Sequence, residues 1–169
     1  MLVRRAPAIA AVCGLAVALP AAGQSIPWLN PVNGNWSEAA KWTGGNVPDA
    51  PGEVGRLNVA GTYVVTQNLA GLTLSAINIS TTTATLNLTG NSVTLTGANG
   101  LTNSGSVVSV GGNTVITGAV NNNASGVINV NANTTITLGG SVVNNGTITV
   151  NPAANGSFTT TLSAPGPIS

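Results

Sequence analysis

An internal repeat of about twenty residues is the feature that most constrains the fold of this chain. The segment 103–110 recurs in similar form at 123–130 and, one residue shorter, at 144–150. Residues 113–117 likewise recur at 133–137. Self-similarity at a fixed period is typical of chains built from stacked units. This period suits one coil of a β-helix, with short strands joined by Asn- and Gly-rich corners.

Apolar residues recur at fixed places in the repeat. Side chains alternate between the two faces of a strand, so every second residue of a repeat is expected to point inward. Aligning the repeats gives three inward columns: Val108, Ile128 and Ile148; Val110, Val130 and Val150; Leu95, Ile116, Ile136 and Phe158. The sequence therefore predicts an all-β fold, a right-handed parallel β-helix (β-solenoid) with coils of about 20 residues. An antiparallel β-sandwich, which uses similar strands and Asn-Gly hairpins, is the alternative.

Composition divides the chain into three parts: residues 1–23, 24–56 and 57–169. Residues 1–23 contain Arg4 and Arg5, an apolar stretch too short to span a bilayer, and then small residues, which predicts a signal peptide. Residues 24–56 hold all three tryptophans and are predicted to be an N-terminal cap over the first coil. Residues 57–169 carry no charged side chain and are the predicted solenoid. We therefore expect a secreted or bacterial cell-surface protein with no membrane span after signal removal.

The predicted cap contains a short aromatic motif. Its residues are Gly34, Trp36, Trp42, Gly45 and Pro48. This pattern resembles the start of bacterial autotransporter-like and related sorted surface proteins built from β-strand repeats. The sequence departs from that pattern at Lys41, where such proteins often have Asn. The resemblance implies a passenger-type role at the cell surface.

The scarcity of titratable residues limits the chemistry that the chain can perform. General acid–base catalysis needs titratable groups that converge on a pocket, and the predicted solenoid offers only Tyr63. Glu38, Asp49 and Glu53 all lie in the predicted cap, where we interpret them as solvating groups. Histidine is absent, and Cys13 lies inside the predicted signal peptide. We therefore expect no enzyme activity, no metal site and no cofactor.

Three hypotheses about function remain open. The first is a non-catalytic structural or adhesive module whose partners are a surface polysaccharide or another cell-surface protein, with end-to-end self-association as a further interaction. No basic patch is present to bind nucleic acid. The second is a carbohydrate-binding module in which Trp36 and Trp42 stack on sugar rings, although both residues also suit a buried cap. The third is an ice-binding Thr-rich face formed by Thr96, Thr117, Thr137 and Thr159, flanked by Thr94, Val115, Thr135 and Ser157.

Overall fold

The described part of the chain is a stack of β-strand coils. A computed structural model describes residues 23–151 and the backbone of residues 161–163. Residues 1–22 of the predicted signal peptide therefore lie outside the described residues. Two short 3-10 turns, Ala39–Lys41 and Thr43–Gly45, are the helical segments of the described residues.

The strands form three parallel sheets, which are the three sides of the stack. The first sheet contains β1 (Ser25–Pro27), β3 (Val54–Leu57), β6 (Ala76–Ile79), β9 (Leu101–Asn103), β12 (Val120–Asn122) and β15 (Val142–Asn144). The second sheet contains β2 (Gly34–Asn35), β4 (Tyr63–Gln67), β7 (Ala84–Leu88), β10 (Ser106–Ser109), β13 (Val127–Val130) and β16 (Thr147–Val150). The third sheet contains β5 (Leu72–Leu74), β8 (Val93–Leu95), β11 (Asn113–Thr117), β14 (Thr135–Leu138) and β17 (Thr161–Ser163).

Each coil visits the first, second and third sheet in turn and then climbs to the next coil. Successive coils are about 21 residues apart, and the stack has about five turns. The predicted β-solenoid is thereby confirmed. The antiparallel sandwich is wrong, because the strands of each sheet pair in parallel with the strands of neighbouring coils. The boundary predicted between cap and solenoid, at residues 56 and 57, falls inside β3.

The predicted inward columns are partly correct. Ile128 and Ile136 are buried, as expected, and Ile128 stacks on Ile148. The residue below Ile128 is Val107, so Val108 was wrongly aligned and points outward. The cause is the corner before β13, which is two residues longer than the corner before β10. The extra residues shift the pairing of β10 with β13, whereas the predicted pairing of Ile128 with Ile148 is correct.

Differences in corner length also misalign the neighbouring columns. Ser109, not Val110, pairs with Val130, and Val110 is 47% exposed. In the third sheet, Ile116 pairs with Val93 and Leu138, so neither Leu95 nor Ile136 is its partner. Ile136 instead pairs with Thr114 and Leu162. Phe158 lies outside the described residues.

A ladder of asparagine side chains runs through the interior of the first sheet. Asn103, Asn122 and Asn144 end successive strands and pair in register. Asn103 Nδ2 donates to Asn122 Oδ1 at 2.8 Å, and Asn122 Nδ2 donates to Asn144 Oδ1 at 2.7 Å. Both Asn103 and Asn122 are fully buried. The ladder therefore satisfies buried amides by bonding each coil to the next, as stacked asparagines do in cross-β structures.

The first coil is filled by tryptophans instead of aliphatic residues. Trp28, Trp36 and Trp42 are all buried, and Trp42 makes edge-to-face contacts with Trp28 and Trp36 at centroid distances of 4.8 and 4.7 Å. Gly55 occupies the inward column between Ile26 and Ile77. A Cβ at Gly55 would lie 2.6 Å from the Trp36 ring, so glycine leaves the space that the indole fills.

Candidate functional site

Trp36 and Trp42 are structural members of the first coil. Their exposed fractions are 0% and 1%. Trp36 Nε1 donates to the Pro48 carbonyl at 2.8 Å, and Trp42 Nε1 donates to the Trp36 carbonyl at 2.6 Å. A sugar-stacking platform needs an exposed ring face, and neither indole has one. A sugar-stacking role for this pair is therefore incompatible with the packing.

The carboxylates of Glu38 and Glu53 accept hydrogen bonds from nearby backbone amides. Glu38 Oε1 accepts hydrogen bonds from the Asn35 amide and side chain at 2.9 and 3.1 Å, and Glu38 Oε2 lies 3.9 Å from Lys41 Nζ. Glu53 accepts bonds from the amides of Asp49 and Ala50, at 2.9 and 3.0 Å. These contacts fix loop geometry, so the two carboxylates are engaged within their own loops.

Glu53 and Tyr63 have displaced pKa values. Partial burial acts to raise the pKa of Glu53, but the hydrogen bonds from Ala50, Asp49 and Asn46 outweigh it, so this pKa lies below its ordinary value. Burial raises the pKa of the Tyr63 hydroxyl, which is 1% exposed. Tyr63 therefore stays neutral inside the core and has no access to a substrate.

The predicted Thr-rich face lies on the third sheet but does not form one column. Thr117 pairs with Thr94, and Thr137 pairs with Val115. Thr96 follows the end of β8, and its hydroxyl donates to the Leu74 carbonyl at 3.1 Å. Thr135 pairs with Asn113 and the backbone of Thr161, whereas Thr159 and Ser157 lie outside the described residues. The predicted alignment of Thr96 with Thr117 and of Thr117 with Thr137 is therefore wrong, for the same reason of corner length.

The described residues contain neither a metal-binding cluster of side chains nor a membrane-spanning helix. No group of three or more His, Cys, Asp or Glu side chains in residues 23–151 is arranged to hold a metal ion. Within that same described part, no helix has the length and apolar character needed to cross a membrane.

The outer face of the second sheet carries a regular column of small side chains that sequence reasoning did not single out. The column, from the first coil to the last, is Asn35, Thr66, Asn87, Val108, Asn129 and Thr149. A parallel column beside it is Val64, Thr85, Ser106, Val127 and Thr147. Strand alternation predicts that these residues point outward, but the register that aligns them depends on corner lengths.

An open cleft lies at the first-coil end of this face. Its volume is about 410 Å³, and it is lined by Asn33, Gly34, Asn35, Val64 and Thr66. The cleft is held in shape from two sides: Asn33 Oδ1 accepts the Val64 amide at 2.8 Å, and the Asn33 carbonyl accepts Lys41 Nζ at 3.1 Å. Two members of the outer column, Asn35 and Thr66, therefore also line a cavity.

Comparison with known proteins gave no match to a family model, to a curated protein or to a solved structure.

Proposed function

We propose that the chain is a non-catalytic secreted or cell-surface module with a structural or adhesive role. The observation that carries this proposal is the uncharged exterior of a regular, hydrogen-bonded stack. From Leu57 onward the chain contains no Asp, Glu, Lys or Arg, and Tyr63 is buried. A face made of Asn, Thr, Ser and Val side chains offers hydrogen-bond donors and acceptors over its whole length, which suits contact with a large neutral partner.

Export is supported by the first 23 residues and by the motif that resembles sorted surface proteins. Partners in this proposal are a surface polysaccharide or another cell-surface protein. End-to-end self-association belongs to the same proposal, because β15 and β16 lie at the ends of their sheets and Val150 is 42% exposed.

The location can be tested by expressing the full chain in a bacterium with an epitope tag. We expect a shortened N-terminus and antibody labelling of intact cells or of the medium. Leu15→Arg places a charge in the apolar stretch of the predicted signal peptide and should block export. Thr82→Arg adds the same charge at an exposed position of the stack and should not. Retention of the tagged wild-type chain in the cytoplasm would overturn the proposal.

The adhesive and non-catalytic parts need a second assay. Cells that display the chain should bind a polysaccharide-coated or cell-coated surface more strongly than cells that carry the Leu15→Arg variant. Release of new reducing ends from the coating polysaccharide by purified protein would show catalysis and contradict the proposal.

A further inference from the structure

The outer column of the second sheet has a two-strand period. Asn35, Asn87 and Asn129 lie on every second strand of the sheet, and Thr66, Val108 and Thr149 occupy the strands between them. Neighbouring strands of a sheet are about 4.8 Å apart, so the asparagines recur at about 9.6 Å along the stack. The face therefore presents one amide side chain at each step of that length.

An extended β-1,4-linked glycan has the same kind of periodicity. Its sugar units rise by a distance close to the strand spacing, and each unit is turned over relative to the last, so equivalent hydroxyls recur on every second unit. We infer that the second sheet binds a neutral β-1,4-linked polysaccharide along the axis of the solenoid, with about one sugar unit per strand. The asparagine amides would donate to and accept from the hydroxyls that recur at the disaccharide step.

One end of such a glycan would bind in the cleft. Among the described residues, no hydrogen bond engages Asn33 Nδ2, Asn35 Oδ1 or Thr66 Oγ1, so a donor and two acceptors remain for a sugar. Val64 adds an apolar contact for the C–H face of a pyranose ring. The cleft is open and three of its five lining residues, Asn33, Asn35 and Thr66, are polar, which suits a ligand rich in hydroxyl groups.

The surroundings of the face favour a neutral polymer over a charged one. The two columns of the second sheet contain no charged residue. Near the cleft, Lys41 and Glu38 lie 3.9 Å apart and have opposite charges, so together they add no net charge that would attract an anionic glycan. The first sheet differs in that its outer column includes Arg56 and carries asparagine on two strands instead of three, Asn78 on β6 and Asn121 on β12.

This inference rests on the proposed adhesive function and names its ligand. Isothermal titration of the purified full chain can test it with five soluble probes. Cellohexaose and chitohexaose should bind, and cellotriose should bind more weakly because it spans fewer strands. Maltohexaose, whose α-1,4 linkages curve the chain, and hexagalacturonate, which is anionic, should not bind comparably.

A matched pair of double variants locates the site. Thr66→Val with Asn87→Ala removes a neighbouring Thr and Asn from the second sheet. Asn78→Ala with Thr102→Val removes the same two residue types, also neighbours, from the outer column of the first sheet. Each lost hydrogen bond is worth about 0.5–1.5 kcal/mol, so the first variant should weaken cellohexaose or chitohexaose binding by roughly tenfold or more. The second variant should bind like wild type.

The outcomes separate this inference from the proposed function. Absence of binding to both β-1,4-linked hexamers, equal binding of maltohexaose, or equal losses in the two double variants would overturn the glycan site. Surface exposure and cell adhesion would remain possible in that case and are measured independently. Circular dichroism and thermal melting check that both variants fold. If either variant does not fold, the probe series on the wild-type protein tests whether a β-1,4-linked glycan binds.

Discussion

Asn122 is bonded on both sides by asparagines of neighbouring coils: its Oδ1 accepts from Asn103 Nδ2 and its Nδ2 donates to Asn144 Oδ1. The same Nδ2 also lies 3.2 Å from the Gly126 carbonyl. A single buried side chain thus joins three coils and one corner. Its removal takes an acceptor from Asn103 Nδ2, which keeps its bond to the Val127 carbonyl, and the donor from Asn144 Oδ1.

Asn122→Ala should therefore destabilise the fold strongly. A hydrogen bond contributes about 0.5–1.5 kcal/mol, and this substitution removes both bonds that Asn122 makes to Asn103 and Asn144. Asn121→Ala changes the adjacent, exposed residue and should alter the free energy of unfolding by about 0.5 kcal/mol or less. Urea unfolding followed by circular dichroism measures both. Equal unfolding midpoints would contradict the ladder.

Substitution of Gly55 should disturb the tryptophan cluster of the first coil. The Cβ of Gly55→Ala would meet the Trp36 ring, and overpacking of this kind costs about 1–3 kcal/mol. Gly111→Ala is the control, since its Cβ would have no neighbour closer than 4.0 Å. We expect a lower melting temperature and a changed tryptophan fluorescence spectrum for Gly55→Ala alone. An unchanged spectrum would show that Trp36 does not pack over this glycine.

A charge in the inward column should be far more harmful than a charge beside it. Ile128 is 1% exposed and lies between Val107 and Ile148. Ile128→Asp buries an unpaired carboxylate and should cost ~4 kcal/mol or more. Asn129→Asp places the same group on the outer face and should fold normally. Soluble expression and melting temperature distinguish the two, and a stable Ile128→Asp protein would refute the register.

Acid should weaken the loop that Glu53 holds together. The folded pKa of Glu53 lies below its ordinary value of 4.5, so the folded state favours the ionised carboxylate. Its contribution to stability is present above pH 4.5 and is lost as the pH falls through the lower, folded pKa. The urea concentration at the midpoint of unfolding, measured between pH 7 and pH 3, should decrease as the pH falls below 4.5.

The contribution of Glu53 can be separated from that of the other carboxylates. Glu53→Gln cannot titrate, so its unfolding midpoint should already be lower at pH 7 and should approach that of wild type at low pH. Asp49→Asn keeps the Asp49 amide that donates to Glu53 and should retain the pH dependence due to Glu53. Parallel pH profiles for wild type and Glu53→Gln would rule out this assignment.

The sequence predicts the class of this fold well because its repeat is visible in apolar residues. Ile128 and Ile136 were assigned to the core by strand alternation, and both are buried. Burial of Trp36 and Trp42 was likewise the simpler expectation for a terminal coil. The burial of these residues depends on strand alternation and on hydrophobicity, both of which can be read from the sequence.

Register between coils is harder to predict, because it depends on where a coil takes up extra residues. Aligning Asn103 with Asn123 follows the similarity of the letters, but the structure pairs Asn103 with Asn122. Ala124 and Ser125 are then the two extra residues of the corner, and the hydroxyl of Ser125 donates to the Ser104 carbonyl one coil below. An extra pair of corner residues costs little in loop-closure entropy, so nothing in the composition marks the site.

The outer column of the second sheet escapes prediction for the same reason, since it exists only in the correct register. The asparagine ladder was accessible in principle. Leu101, Val120 and Val142 are each followed two residues later by Asn, which alternation places on the same inward side. A polar residue that recurs at an inward position is a signal of a buried hydrogen-bonded stack.

The asparagine ladder also has a direction, because in both of its steps the amide donates toward the later coil. Asn122, the middle member, therefore presents an acceptor to the earlier coil and a donor to the later one. A tandem duplication of the coil that carries Asn122 would join the copy to the original by the same donor–acceptor pair, so a rod of this kind can lengthen by a whole coil at this joint.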